Sequence, residues 1–287
     1  MDVRYATGPN DMKYYTTQRL REEYLIPEVF KADDVTYVYS HYDRIITGGA
    51  MPVKEVLKLS AGDELRAEYF LQRREMGIIN IGGAGKITVD GKVYEVANAD
   101  GMYIGRGSKE ITFESVDGAN PAKFYFNSTP AHKEYKTVLI KKEGVAADDV
   151  VIVKDENKVE LGSLEESNHR VICKYILPGQ VESCQLVMGM TSLKPGSVWN
   201  SMPCHTHDRR MEVYFYFGLP EDAYVMHYMG EPQETRHIVM RNEQAVISPS
   251  WSIHAGSGTR AYTFIWGMAG ENQEFGDMDN LRNQDLL

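Results

Sequence analysis

Short runs in which apolar and polar residues alternate fill most of this 287-residue chain. A period of two puts successive side chains on opposite faces of a strand, so such runs predict half-buried strands rather than helices. In the first half they fall at residues 35–40, 44–46, 77–81, 86–89, 93–96 and 123–126, each bounded by turn residues. The GGAG of residues 82–85 and the Asp90-Gly91 pair supply tight-turn chemistry between them. In the second half the runs fall at 170–176, 182–190, 212–217, 223–229, 235–240, 245–247 and 261–268. Helical spacing is confined to residues 17–26, where Leu20, Tyr24 and Leu25 recur on one face and Pro27 supplies a stop. Residues 141–166 are polar, acidic and punctuated by glycine, which predicts an inter-domain connection carrying one strand.

Many short antiparallel strands with one short N-terminal helix predict a mainly β protein built from closed barrels, because closure removes exposed sheet edges. The two halves also share an order of features. Arg73-Arg74-Glu75 opens an apolar run, as does Arg209-Arg210-Met211-Glu212. MYIGRG (102–107) precedes the strand at 123–126, and VISPSW (246–251) likewise precedes YTFIW (262–266). A duplicated barrel follows, with one domain at 1–150 and a second at 151–287.

Composition narrows the function classes. Hydrophobic residues make up 43% and charged residues 25%, the balance of an ordinary globular protein. The net charge of −10 disfavours nucleic acid and anionic membranes, whose binding needs a basic surface. No apolar stretch approaches the ~18 residues of a membrane helix, and the first residues lack the apolar core of a signal peptide. Three cysteines (Cys173, Cys184 and Cys204) are too few for a disulfide framework, so a cytoplasmic location is expected. Cys204 adjoins a histidine cluster, but a small buried thiol is the simpler expectation for it.

That cluster carries the chemistry. His205, His207 and Glu212 form H-x-H-x4-E, and His254 follows within P-x-W-x-x-H from Pro249. Histidines two apart on a strand face one side, Glu212 would return on the neighbouring strand, and His254 would arrive from a strand end across the barrel. Three imidazoles and a carboxylate suit a divalent transition ion such as Zn, Fe, Mn or Ni. The first half has no such set, since His41 and His132 lie far apart in the chain, and its barrel is expected to be metal-free.

The spacing resembles the two motifs of the cupin superfamily, although Trp251 stands where the second motif usually has glycine and Gly258 where it usually has asparagine. Longer runs are similar to the 5-keto-4-deoxyuronate isomerases, also called 4-deoxy-L-threo-5-hexosulose-uronate ketol-isomerases. They are YSHYDRIITGGAMP (39–52), INIGGAGKITVDG (79–91), MPCHTHDRRMEVYFYF (202–217), QETRHIVMRNEQAVISPSWSIHAG (233–256) and AYTFIWGMAGENQ (261–273). This resemblance implies a duplicated cupin, or bicupin, that takes one zinc ion per chain on His205, His207, Glu212 and His254. It also implies a homohexamer and a place in pectin and uronate degradation. The implied reaction converts 5-dehydro-4-deoxy-D-glucuronate, a small anionic sugar acid, to 3-deoxy-D-glycero-2,5-hexodiulosonate.

Such an aldose–ketose isomerisation moves a proton between the two carbons at the aldehyde end through an enediol, or a hydride between them directly. The first route needs a general base. Glu243, His237 and Tyr262 are the candidates, each with a structural alternative as turn, strand and packing residue. A substrate carboxylate calls for a guanidinium, for which Arg209, Arg210, Arg236 and Arg241 are available. Tyr214, Tyr216, Phe264 and Trp266 alternate along strands and are expected to fill the barrel. Two other functions fit the same ligands: an iron bicupin dioxygenase, and a non-enzymatic sugar-binding cupin.

Overall fold

A computed structural model describes all 287 residues. Its chain forms two compact units whose segments interleave. The first comprises Met1–Val3, Glu28–Lys154 and Tyr175–Val187; the second comprises Arg4–Pro27, Asp155–Lys174 and Met188–Leu287. The units therefore interleave: Arg4–Pro27, with the N-terminal helix, belongs to the second unit, and Tyr175–Val187 belongs to the first.

Each unit is built from a large sheet and a four-stranded one. In the first unit the inner strands of the large sheet are Ile46–Ala50, Phe124–Pro130, Arg74–Asn80 and Gly101–Ile104, in that spatial order. Its smaller sheet orders Leu57–Lys58, Ile111–Ser115, Gly85–Val89 and Lys92–Val96. Side chains from both sheets meet in one core, with Ile78, Met102, Phe124 and Phe126 from the large sheet against Ile87, Tyr94 and Phe113 from the small one. The expected closed barrel is thus a double-sheet jelly roll: the hydrogen-bond ladders stay separate and the apolar faces do the closing.

The second unit repeats this plan. Its large sheet runs Lys158–Leu161, Arg170–Ile176, Val187–Leu193, Thr263–Gly270, Arg210–Phe217, Gln244–Ser248 and Leu25–Ile26. Its small sheet runs Trp199–Asn200, Ala255–Gly258, Val225–Glu231 and Glu234–Met240. Arg74 opens the strand paired to Pro130 in one unit, as Arg210 opens the strand paired to Gly270 in the other. Two residues on, Met76 faces Ser128 where Glu212 faces Met268.

Several boundaries moved for identifiable reasons. The helix is Thr17–Tyr24, capped by the Thr16 hydroxyl. Leu25 and Ile26 leave it as a short strand on Gln244–Ser248, because an exposed sheet edge offers them apolar burial and ladder bonds. The strand expected at 44–46 starts at Ile46, since Asp43 and Arg44 adopt left-handed backbone angles at φ 46° and 53°. Residues 141–166 hold two short strands, Val150–Ile152 and Lys158–Leu161, not one. The first pairs in parallel with Val138–Lys141, an exception to the antiparallel rule of the fold.

The run expected at 182–190 becomes a strand only at Val187, because residues before it are claimed by a buried carboxylate. Glu75 accepts the backbone N–H groups of Cys184, Gln185 and Leu186 at 2.7, 2.8 and 2.9 Å. It also accepts the Tyr103 and Thr129 hydroxyls at 2.8 and 3.0 Å. Replacing it by alanine strands three buried donors, each costing roughly 1–3 kcal/mol. Glu75→Ala is therefore expected to lower the melting temperature by about 10 °C. A calorimetric scan showing less than a few degrees of change would contradict this role.

Candidate metal centre

The four expected ligands converge. His205, His207, Glu212 and His254 each place one donor atom within 4.8 Å of all the others. His205 lies on the two-residue strand His205–Thr206, held by Asp279–Asn280 near the C-terminus. A turn over Asp208 and Arg209, closed by Arg210 N–H on the His207 carbonyl, brings the chain around to Glu212 on the large sheet. His254 comes from the other side of the sandwich. The turn closed by Ser252 N–H on Pro249 delivers it immediately before Ala255–Gly258 of the small sheet.

The local geometry suits a cation. His207 Nδ1 donates to the Arg210 carbonyl at 2.8 Å, and His254 Nδ1 points to the Ser252 carbonyl at 3.4 Å. Spending the Nδ1 protons on carbonyls leaves both Nε2 lone pairs facing inward, the arrangement that orients metal-binding histidines. Those Nε2 atoms lie 3.2 and 2.9 Å from Glu212 Oε2, and His254 Nε2 lies 2.9 Å from His205 Nε2. Lone pairs so crowded need positive charge among them. Burial would raise the Glu212 carboxyl, but His254 and His207 outweigh it and hold it well below the usual carboxylate range. Burial, followed by His254, pulls His205 down to about 3. Burial also opposes a charge on His207, yet Glu212 overrides it and raises that imidazole. The charge that draws a proton there would draw a metal ion equally.

A cleft of about 230 Å³ opens beside these ligands. His205 and Glu212 line it with Arg170, Ser201, Tyr214 and Trp266. Tyr214 is hydrogen-bonded to Ser201 at 3.1 Å, and its ring meets His254 edge-on at 5.5 Å. Phe264, Met268, Phe275 and Met278 supply apolar wall. This volume suits a single small molecule rather than an oligomer.

The other candidates are dispersed. Glu243 occupies a turn at φ 59° next to Gln244, which faces Tyr216 and not Glu212. Four residues of strand, about 13 Å, separate that end from the ligands. His237 is exposed on the outer face of the edge strand Glu234–Met240. Tyr262 is buried in the sandwich, where its hydroxyl receives Asn200 Nδ2 and donates to the Gly256 carbonyl. Trp266 and Tyr214 line the cleft, while Tyr216 is committed to His227 at 2.9 Å. Cys204 is buried against Ile253 and Ala255, and all three cysteines are free thiols.

The arginines sort by the partners they already hold. Arg209 forks onto Asp277 at 2.9 and 2.7 Å and reaches Asp279 at 2.9 Å. Arg210 lines the cleft with Nη1 and Nη2 on the carbonyls of Glu274, Phe275 and Asp277, while its buried Nε has no partner. Arg236 bonds Glu234 and the Lys13 carbonyl, and Arg241 lies over the Tyr224 ring. Arg170, absent from the expectations, lines the cleft with only Nη1 engaged, on the Asn168 carbonyl at 2.8 Å. Its position opening the strand Arg170–Ile176, some 35 residues before the histidines, gave no local signal of this.

The C-terminal segment thus secures both Arg210 and the strand of His205. Truncation after Gln273 would remove three carbonyl partners of Arg210 and the pairing strand of His205. Metal affinity is expected to fall about 10–100-fold, the usual effect of losing support behind a ligand. Chelator competition would measure it; unchanged affinity would show that His205 is held by other means.

Comparison with known proteins agrees in scale and in detail. Residues 24–283 match the KduI/IolB family. A 4-deoxy-L-threo-5-hexosulose-uronate ketol-isomerase of Lachnoclostridium phytofermentans is 70% identical over 286 residues, covering all of both chains. Proteins of the same name from Lachnospira eligens and Escherichia coli strain SE11 are 62% and 57% identical, again over the whole of both chains. Among solved structures, an IolB-like protein of Salmonella typhimurium superposes with a TM-score of 0.70 at 12% identity, covering 91% of this chain and 97% of that one. An oxalate decarboxylase of Bacillus subtilis, described with Mn(II) centres, gives 0.52 at 9% identity over 82% and 71%. At such identities these two likenesses establish the cupin-like fold alone.

Proposed function

The chain belongs to the KduI/IolB family, and from that premise we propose how it works as a 4-deoxy-L-threo-5-hexosulose-uronate ketol-isomerase of pectin and uronate breakdown. It converts 5-dehydro-4-deoxy-D-glucuronate to 3-deoxy-D-glycero-2,5-hexodiulosonate. The observation that carries the placement of this chemistry is the convergence of His205, His207, Glu212 and His254 beside a cleft sized for one small molecule.

One zinc ion held by those four residues is our reading, supported by the three imidazole nitrogens, the single carboxylate and the crowding of their lone pairs. When bound, such an ion supplies Lewis-acid stabilisation of the negative charge that develops on adjacent oxygens of an enediol. The chain's own groups do the rest. Arg170 offers its free N–H groups to the substrate carboxylate, since it keeps Nε and Nη2 unengaged whereas Arg210, the other arginine lining the cleft, has only Nε left. The Tyr214 and Ser201 hydroxyls form a bonded pair at the cleft wall, able to hydrogen-bond the substrate's oxygens and to pass a proton. Phe264, Trp266 and Phe275 keep water from the reacting carbons.

We further read the protein as cytoplasmic and hexameric, with a first unit that takes no metal. No helix is long and apolar enough to cross a membrane. Met76 at the register position of Glu212 supports the last point.

The test is to incubate metal-replete protein with the ketoaldehyde in deuterated water and follow the diketo acid by NMR. Isomerisation with deuterium entering the product is expected. Isomerisation without it would replace proton transfer by a hydride shift, and no isomerisation would refute the assignment. Oxygen uptake in the same assay would favour the dioxygenase reading instead.

A further inference from the structure

The first unit has its own cavity, of about 250 Å³, lined by Tyr39, Arg44, Glu64, Phe70, Arg73 and Arg74. It opens at Arg74, the register counterpart of Arg210, and so occupies the place in this unit that the metal cleft occupies in the other. Here arginines replace ligands. Arg74 is only 6% exposed, and its guanidinium is fixed by Nε on the Ser128 hydroxyl at 3.1 Å and Nη2 on the Ser128 and Arg44 carbonyls at 2.7 and 2.5 Å. Nη1 has no hydrogen-bond partner in the protein; the adjacent Glu75 carboxylate acts on Arg74 only through space, since both its oxygens are spent on other donors. A buried guanidinium that no carboxylate contacts directly still favours an anion at its open face.

Its neighbours reinforce the demand. Arg73 Nη2 donates to the Leu65 and Arg66 carbonyls and meets no acid. Arg44 is exposed at the cavity rim with no side-chain partner, on a left-handed backbone at φ 53°. The one acid in the lining, Glu64, is held by the N-terminal ammonium of Met1 at 3.1 Å. Tyr39 lies under the Arg74 guanidinium, its ring centre 5.8 Å away, and keeps that plane oriented. In a chain of net charge −10, three guanidinium groups around a single lining acid that already holds the Met1 ammonium make a local site for an anion.

We propose that this cavity binds a small oxyanion ligand, a sugar-sized carboxylate or phosphate ester, through Arg74, Arg73 and Arg44. It is separate from the isomerase cleft, and its occupancy does not depend on the reaction assigned there. Because both clefts would accept an anion, the second unit must be silenced to see the first.

Isothermal titration of the full-length protein with inorganic phosphate and with glucuronate, each in wild type and in the His254→Ala, Arg170→Gln double variant, tests this. A binding event is expected to survive the double variant. It should weaken at least about tenfold in Arg74→Gln, which loses a charge-assisted contact, and also in Arg44→Gln, whose exposed position spares the fold. Binding of phosphate alone would identify a phosphate ester, and binding of glucuronate alone a carboxylate; both outcomes support the site. No binding of either probe to the double variant would overturn it. So would binding that Arg44→Gln and a folded Arg74→Gln leave unchanged.

Discussion

His254→Ala is expected to abolish both metal content and isomerisation. His254 contacts Glu212 Oε2 and His205 Nε2 at 2.9 Å each, so as a proposed ligand it would join the small sheet to the donors of the large one. Its loss leaves His207 and Glu212 on one side with His205 on a two-residue strand. Lewis-acid stabilisation of developing charge contributes several kcal/mol, and at 1.36 kcal/mol per decade the rate should fall about 10³-fold or more. Metal content by elemental analysis and turnover by NMR would be measured on the same preparation. Full turnover in protein shown to be metal-free would overturn the metal's part in the reaction, leaving the family assignment intact. Retained metal with lost turnover would instead assign His254 to the substrate.

The second large effect concerns Arg170. Burial pulls its pKa down, yet a guanidinium stays charged throughout the working range. If its free N–H groups grip the substrate carboxylate, Arg170→Gln removes charge-assisted bonds together worth about 3 kcal/mol, or about 10²-fold in affinity. KM should rise by that factor while metal content stays at the wild-type level. Arg170→Lys should recover only part of the loss, because an ammonium cannot present the planar fork that a carboxylate matches. An unchanged KM in Arg170→Gln would move carboxylate recognition to another group and leave the metal centre untouched. A fall in kcat alone would assign Arg170 to positioning rather than capture.

What was legible in the sequence was local or periodic. Strand runs, the turn signals and the helix at Thr17–Tyr24 follow from spacing between near neighbours, and most of them recur in the structure. His205, His207 and Glu212 lie within eight residues of one another, so their chemistry could be read as a motif. The arginines could not be read this way. Arg209, Arg210, Arg236 and Arg241 look alike as residues, and only their partners show that each is already committed. Arg170 was missed because nothing beside it in the chain marks a cleft that distant strands create. Glu243 and His237 were plausible by proximity in sequence, but strand register carries Glu243 to the far end of its pair and leaves His237 on the outer face.

By itself, then, the sequence determined the alternation that makes strands, the repeat that makes two similar units, and the residue types able to hold a divalent ion. These depend on side-chain period and donor chemistry, which are properties of short segments. Tertiary structure alone decided which charges meet. It brought His254 across from the small sheet to Glu212, tied Arg210 Nη1 and Nη2 to backbone carbonyls, freed Arg170 toward the cleft, and buried Arg74 with no carboxylate bonded to it. The reason is physical: a charged group's role depends on what else lies within a few ångströms in a dry interior, and sheet packing sets that at separations of tens to hundreds of residues.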